Sequence, residues 1–196
     1  MLVSLLCGSA QAQTRIGTVD LRTVFDKYWK RQQADAAIKA HVADLRKQFD
    51  SMYNDYKKSA DEYQKVLDSA NDQAVSEGER DRRKKEAEAK LKDLKTTKDS
   101  LDEYNRQSRA TVDEQLNRMR ASILKEIQAV VKAKAEAGGY SIVLDSAAVS
   151  ANQTPILLYV NNPQNDLTEA VLQQLNATAP PGFTNSPSSS MSGTGN

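Results

Sequence analysis

The sequence predicts a mainly α fold with a small β body, in which a long antiparallel helical hairpin, a coiled-coil arm, projects from a short-stranded sheet. Three observations predict it. Residues 21–137 contain no proline and a single glycine, Gly78. Short β-prone runs bracket that stretch on both sides. The composition is 39% hydrophobic, 6% aromatic and 27% charged, too lean for one thick core. No run approaches the ~20 apolar residues of a membrane-crossing helix.

Residues 1–12 read as a signal peptide. An apolar stretch ends in Ala10-Gln11-Ala12, a small-residue cleavage site that places the cut between Ala12 and Gln13. The basic residues that normally open such a leader are missing, so the true start is expected further upstream. Cys7 is the one cysteine, and bulky Leu6 before it speaks against lipidation. Export to the periplasm is the expected localisation, and the mature chain is then free of thiols, as suits an oxidising compartment.

Residues 13–20 contain Arg15-Ile16-Gly17-Thr18-Val19-Asp20, a short strand placed just before the first arm. The arm region, residues 21–137, is rich in Ala, Lys, Glu, Gln, Leu and Arg, the composition of long helices. Gly78 divides it into 57 and 59 residues, two arms of about 85 Å each at 1.5 Å per residue. A tip near Gly78 is expected because apolar periodicity lapses over residues 71–77 and a helix breaker follows. In the first arm Val42, Leu45, Phe49, Met52, Tyr56, Tyr63, Val66 and Ala70 alternate by threes and fours, the heptad stripe of a two-helix seam. In the second arm Leu91, Leu94, Leu101, Val112, Met119, Ile123, Ile127 and Val130 keep the period less strictly. Lys98, Asn105 and Ser108 are read as polar interruptions, which make the seam marginal because buried polar groups destabilise unless paired. Trp29 follows Val24, Phe25 and Tyr28 and is expected to pack where the arm joins the body.

Residues 138–176 complete the body. Gly138-Gly139-Tyr140 leads into a second strand over residues 141–145, and residues 156–160 read as a third after a turn-rich connection. Asp166-Leu167-Thr168-Glu169 has the form of a capping box opening a last helix. The expected body core is Ile16, Val19, Phe25, Ile142, Val143, Leu144, Leu157, Tyr159, Val171 and Leu175. Such a sheet buries little apolar surface alone and calls for oligomerisation. Residues 177–196 are Pro/Ser/Gly-rich and read as a disordered tail.

The net charge of +1 conceals an asymmetry. The arms hold 26 basic against 22 acidic residues, a net +4, while the rest of the chain is −3. Arg80, Arg82, Arg83, Lys84 and Lys85 form the densest basic cluster, just past the expected tip. A solvated helix face with i,i+4 neighbours such as Arg82 and Glu86 is one reading, and transient contact with anionic lipid or a membrane surface is the other. An export signal and near-zero net charge exclude nucleic acid as the partner.

Catalysis finds no support. One histidine and one cysteine supply no disulfide framework, no Cys/His zinc site and no Ser-His or Cys-His triad, so no metal and no cofactor is expected. Asp20, Asp145 and His41 are the only chemical candidates. The two carboxylates stand at strand ends, where Asp usually caps or turns the chain.

Ile16-Gly17-x-Val19-Asp20-x-x-x-Val24-Phe25 resembles the opening of the Skp/OmpH family of periplasmic chaperones. Tyr140-Ser141-Ile142-Val143-Leu144-Asp145-Ser146-x-Ala148-Val149 resembles the family's strand after the arms. Leu158-Tyr159-Val160 and Asp166-Leu167-Thr168-x-x-Val171-Leu172-x-x-Leu175-Asn176 are similar to its closing strand and helix. The motifs come in order around the hairpin and cover residues 13–176. The resemblance implies a jellyfish-like homotrimer whose strands join into one body and whose helical arms enclose a cavity. It also implies a holdase that needs no ATP, keeping unfolded outer-membrane proteins from aggregating. Within that reading Met52, Tyr53, Tyr104 and the basic residues at the tip are the expected client contacts. Met52 and Tyr53 are adjacent and cannot both face one seam. Family members are often markedly basic, whereas pI ≈ 7.7 here implies weaker electrostatic capture. The competing reading is an envelope scaffold or adaptor whose arms bind one specific partner.

Overall fold

The computed structural model describes residues 14–161 and 163–183. The proposed leader, its cleavage site at Ala12 and Gln13, and the tail beyond residue 183 lie outside the described residues. The element order is β1 (Ile16–Val19), α1 (Leu21–Lys27), α2 (Trp29–Ala70), α3 (Glu77–Ala137), β2 (Ile142–Asp145), a 3₁₀ turn (Pro163–Asn165) and α4 (Thr168–Asn176). The chain divides into two compact units. One takes both chain ends, up to Ala34 and from Met119 onward, and the other takes Asp35–Arg118.

In the first unit β1 and β2 pair in parallel, with Ile16 opposite Ile142 and Val19 opposite Asp145. Parallel strands need a long crossover, which the intervening helices supply. The crossover ends in a complete Schellman motif. Tyr140 N donates to the Ala135 carbonyl and Gly139 N to that of Glu136, with Gly139 left-handed at φ 64°. The chain so turned starts β2 beside Arg15, whose carbonyl accepts from Ser141 N at 2.8 Å. The Tyr140 ring lies against both Gly17 and Gly138, where an added Cβ would stand 2.9 and 2.6 Å from ring carbons. Arg15 covers the ring at 4.1 Å from its centroid and donates to the phenol oxygen.

The core of this unit joins Val19, Val24, Tyr28, Ile123, Ile127, Leu167, Val171 and Leu175, with Val24, Ile127 and Val171 fully buried. Of the expected core, Val19, Val171 and Leu175 are buried. Phe25 and Val143 pack against the cluster half-buried. Ile16, Ile142, Leu144 and Tyr159 are exposed on the single chain, and Leu157 is half-exposed.

Two expectations about this unit need correction. Residues 156–160 form no strand: a single antiparallel bridge joins Val149 to Pro155, and Leu158 and Tyr159 stay 81% and 77% exposed. The segment has strand composition, but among the described residues none forms a ladder with it. The first helix is also not continuous from residue 21. It breaks at Tyr28, whose ψ of 126° is extended, and the break turns the phenol ring into the core. The orphan donor that the break creates at Trp29 N is taken up by Asn176 Oδ1 at 3.1 Å.

In the second unit the reversal occupies residues 71–76, so Gly78 does not break the helix but sits in its first turn. Ser76 explains the shift. Its hydroxyl accepts from Glu79 N and begins a Ser-x-x-Glu capping signature. Asp72 Oδ1 accepts from Ala74 N to shape the turn. The α2 stripe is half-buried to buried at Leu45, Phe49, Met52, Tyr56, Ser59, Tyr63, Val66 and Ala70, whereas Val42 is exposed. On α3 the stripe runs through Arg83, Ala87, Lys90, Leu94, Thr97, Leu101, Tyr104, Ser108, Val112 and Gln115. Leu91 and Lys98 therefore leave the expected seam for solvent, and Ala87, Lys90 and Thr97 replace them. Both sets keep gaps of three and four through Leu94 and Leu101, and the buried face is the one through Lys90 and Thr97.

Ile127 is fully buried at the centre of the first unit's core. Replacing it with alanine is expected to lower unfolding stability by about 2–5 kcal/mol, read from urea denaturation.

Candidate functional site

The chemically capable side chains are occupied in structural tasks. Asp20 caps α1, its Oδ1 accepting from Thr23 N at 2.7 Å and its Oδ2 from the Thr23 hydroxyl at 2.8 Å. Asp145 Oδ1 accepts from Leu21 N and Ala147 N, tying the end of β2 to the start of α1. Thr168 Oγ1 accepts from Asp20 N and donates to Asp166 Oδ1, so the backbone before α1, the Asp166 carboxylate and the start of α4 are tied together. The expected capping box at Asp166 becomes a tighter turn in which Asp166 Oδ1 accepts from Thr168 N. His41 Nδ1 lies 2.9 Å from Gln115 Oε1 within the seam of the second unit. Among the described residues no cluster of three or more His, Cys, Asp and Glu could hold a metal, and no helix is long and apolar enough to cross a membrane.

The first unit does hold one polar cluster at its core. Tyr28 is buried, and its phenol donates to Glu126 Oε2 at 2.7 Å. The same oxygen accepts from Lys30 Nζ at 2.7 Å. Burial, then the Glu126 contact, raises the Tyr28 pKa. The Lys30 ammonium, helped by the phenol, holds the Glu126 carboxyl below its ordinary range despite partial desolvation.

The second unit carries a groove of about 450 Å³ where its seam opens. Val42, Leu45, Phe49 and Val112 give it an apolar floor, and Asn105 and Ser108 fall where bulkier residues would close it. Tyr104 spans the groove, donating to Gln48 Oε1 at 2.8 Å and to the Leu45 carbonyl. Met52 sits in the seam, half-buried. Tyr53 faces outward at 49% exposure, stacked on Phe49 and tilted against Tyr56. Of the two neighbours, Tyr53 is the one available to a partner.

The basic cluster divides by direction. Arg83 is drawn inward, donating to Glu79 and to the Ser69 carbonyl across the reversal. Arg80 donates to the Val75 carbonyl and is half-buried. Arg82, Lys84 and Lys85 are exposed. Arg82 bonds Glu79 at 2.9 Å instead of the expected Glu86. Arg82 first and Arg83 second lower the Glu79 pKa. The structure therefore brings Tyr104 to the groove, leaves Tyr53 beside it, and separates three outward cations from two structural ones. Sequence reasoning missed the tyrosine–glutamate cluster, because Tyr28 and Glu126 are 98 positions apart.

The model of the family described as outer membrane protein (OmpH-like) matches residues 15–175. The chain belongs to the OmpH-like family. Its fold is similar to a crystal structure from Caulobacter crescentus CB15 described as an outer membrane chaperone, OmpH-like, with a TM-score of 0.54 and 17% identity. The likeness covers 85% of this chain and 86% of that one. Among curated proteins none matches. The family match spans both units, so the OmpH-like assignment covers the strands and the long helices alike.

Two outcomes follow from this geometry. Glu126 has a depressed folded pKa, so its contribution is present above the unfolded value near 4.5 and is lost as pH falls through the folded value. The unfolding midpoint is expected to drop on that acid limb, and Glu126→Gln flattens it, as followed by thermal melts between pH 3 and 7. Asn105→Leu is expected to close the groove and raise the stability of the helical pair by about 1 kcal/mol, measured by urea denaturation.

Proposed function

We propose that this chain is a periplasmic holdase that works without ATP, as a homotrimer, on unfolded outer-membrane proteins held between its helical arms. The observation that carries the reading is membership of the OmpH-like family across residues 15–175. The fold's likeness to a protein described as an outer membrane chaperone supports it.

Physical features of the chain agree. Ile16, Ile142, Leu144, Ile156, Leu158 and Tyr159 leave an apolar, partly extended surface uncovered on one copy. An exposed strand-like segment of that kind invites pairing with another chain, and neighbouring copies are the natural donors of its missing ladder. The arms then need walls that adapt to many sequences. A seam filled with Ser59, Lys90, Thr97, Asn105 and Ser108 is polar enough to stay loose, and Tyr53 and Tyr104 provide amphipathic contact beside it. The outward Arg82, Lys84 and Lys85 suit transient contact with an anionic surface.

Light scattering on the mature protein, alone and after dilution of a urea-unfolded outer-membrane β-barrel into it, tests the reading. The expected result is a trimer mass that shifts to a soluble complex of trimer plus client. A monomer or dimer removes the cavity and with it the mechanism. A trimer that leaves the barrel to precipitate points to the scaffold reading.

A further inference from the structure

Beyond α4 the chain turns back onto the first unit. The composition of residues 177–196 suggests no structure, yet Pro180-Pro181-Gly182-Phe183 has proline and glycine at the second and third positions, the signature of a type II turn. The turn forms: Phe183 N donates to the Pro180 carbonyl at 3.2 Å, and Gly182 takes φ 102°, a value only glycine adopts readily. It places the Phe183 ring 5.8 Å from that of Trp29, tilted by 55°. The near end of this segment is pinned by Asn176, which accepts from Trp29 N and donates to the Lys27 carbonyl at 3.2 Å. A bridge and a ring thus hold the tail across the break between α1 and α2.

The fit is incomplete. Trp29 Nε1 is shielded from solvent and has no hydrogen-bond partner among the described residues. A buried indole N–H without an acceptor is disfavoured. The segment is also lightly held, since only Asn176, Ala179 and Phe183 of residues 176–183 are even half-buried.

We infer that the face of Trp29 is a binding site for an aromatic residue within a peptide, occupied in the resting chain by its own Phe183 and opened when a competing segment displaces it. Phe183 shows the ring geometry that the face accepts. Tethering gives Phe183 an effective concentration near millimolar, which excludes stray small aromatics but yields to an unfolded chain presenting many aromatic residues. That biological occupant rests on the client-holding reading above; the site itself does not.

Trp29 is the only tryptophan, so its emission and its one indole N–H resonance report on this face alone. The probe is N-acetyl-phenylalanine amide, with N-acetyl-alanine amide as control, added to the full chain and to its Phe183→Ala variant. In the variant Trp29 emission is expected to shift red and its acrylamide quenching to rise about twofold. The probe should then move the indole N–H resonance at a concentration about threefold to tenfold lower than the unaltered chain requires, the factor by which removing an occupant raises apparent affinity. The alanine amide should leave the resonance in place. Unchanged quenching in Phe183→Ala means that Phe183 does not cover Trp29, and it overturns the inference. So does equal probe affinity for both chains, or equal response to the two amides. If Phe183→Ala loosens the fold, Phe183→Leu keeps an apolar tail and must give the same rise in probe affinity for the inference to stand. No client enters these titrations. A chain that binds the probe but fails to keep the unfolded barrel soluble therefore retains the site and loses the holdase reading.

Discussion

Everything in this molecule depends on closing the chain across its whole length, where Ile16 meets Ile142 and Thr18 meets Leu167. Bringing together strands more than a hundred residues apart costs about 4 kcal/mol in loop entropy by the logarithmic rule, and a two-stranded pair is marginal on its own. The sheet cannot offset that alone. Val24, Ile127 and Val171, fully buried between α1, α3 and α4, contribute about 1.5–3 kcal/mol each and tip the balance. The Schellman turn and the Tyr140 ring set against Gly17 and Gly138 then fix where β2 must begin. The closure is therefore won by packing, and the hydrogen bonds of the strands give it register.

The same logic explains why carboxylates that look available for chemistry are not. Asp20, Asp145 and Asp166 each accept backbone N–H groups at the junctions of β1, β2, α1 and α4. A small body whose elements are four to nine residues long exposes many helix and strand ends in little volume, and each end needs an acceptor or donor. Tyr28 and Glu126 follow from the same shortage of space. Turning Tyr28 inward fills the core but brings a hydroxyl with it, and Glu126 is the acceptor that makes the burial tolerable.

Much of this was legible in the sequence because helices announce themselves by period and strands by composition. The heptad stripe from Leu45 to Ala70 needed only counting. On α3 gaps of three and four fit Leu91, Leu94, Lys98 and Leu101 as well as Lys90, Leu94, Thr97 and Leu101, so spacing alone does not choose the face, and the buried one is the second. Gly78 draws the reversal toward itself, although Ser76 and Glu79 already spell a helix start with its cap two residues earlier. The break at Tyr28 leaves no local mark, since its cause is a core built by α3 and α4 and its cap is Asn176. Residues 156–160 show the opposite failure. Their composition is that of a strand, but a strand is a relation between two segments, and among the described residues no second segment lies along them.

The two units differ in kind. In the first, Asp20, Asp145, Asp166 and Tyr28 are paired, and Val24, Ile127 and Val171 are fully buried. In the second, Lys90, Thr97, Asn105 and Ser108 occupy positions where leucine would build a tighter seam, and a groove opens beside Tyr104. A sequence under pressure only for stability would have filled those positions, because each substitution is local and keeps the helix. A helical pair that stays loosely packed retains side-chain freedom, and surfaces with that freedom can repack against unlike partners. The body must hold one structure to keep the long crossover closed; the seam gains by not being so confined. The first unit ties the polar groups at its element ends to one another, and the second sets Lys90, Thr97, Asn105 and Ser108 along its seam, the difference between a firmly closed body and a less tightly packed helical pair.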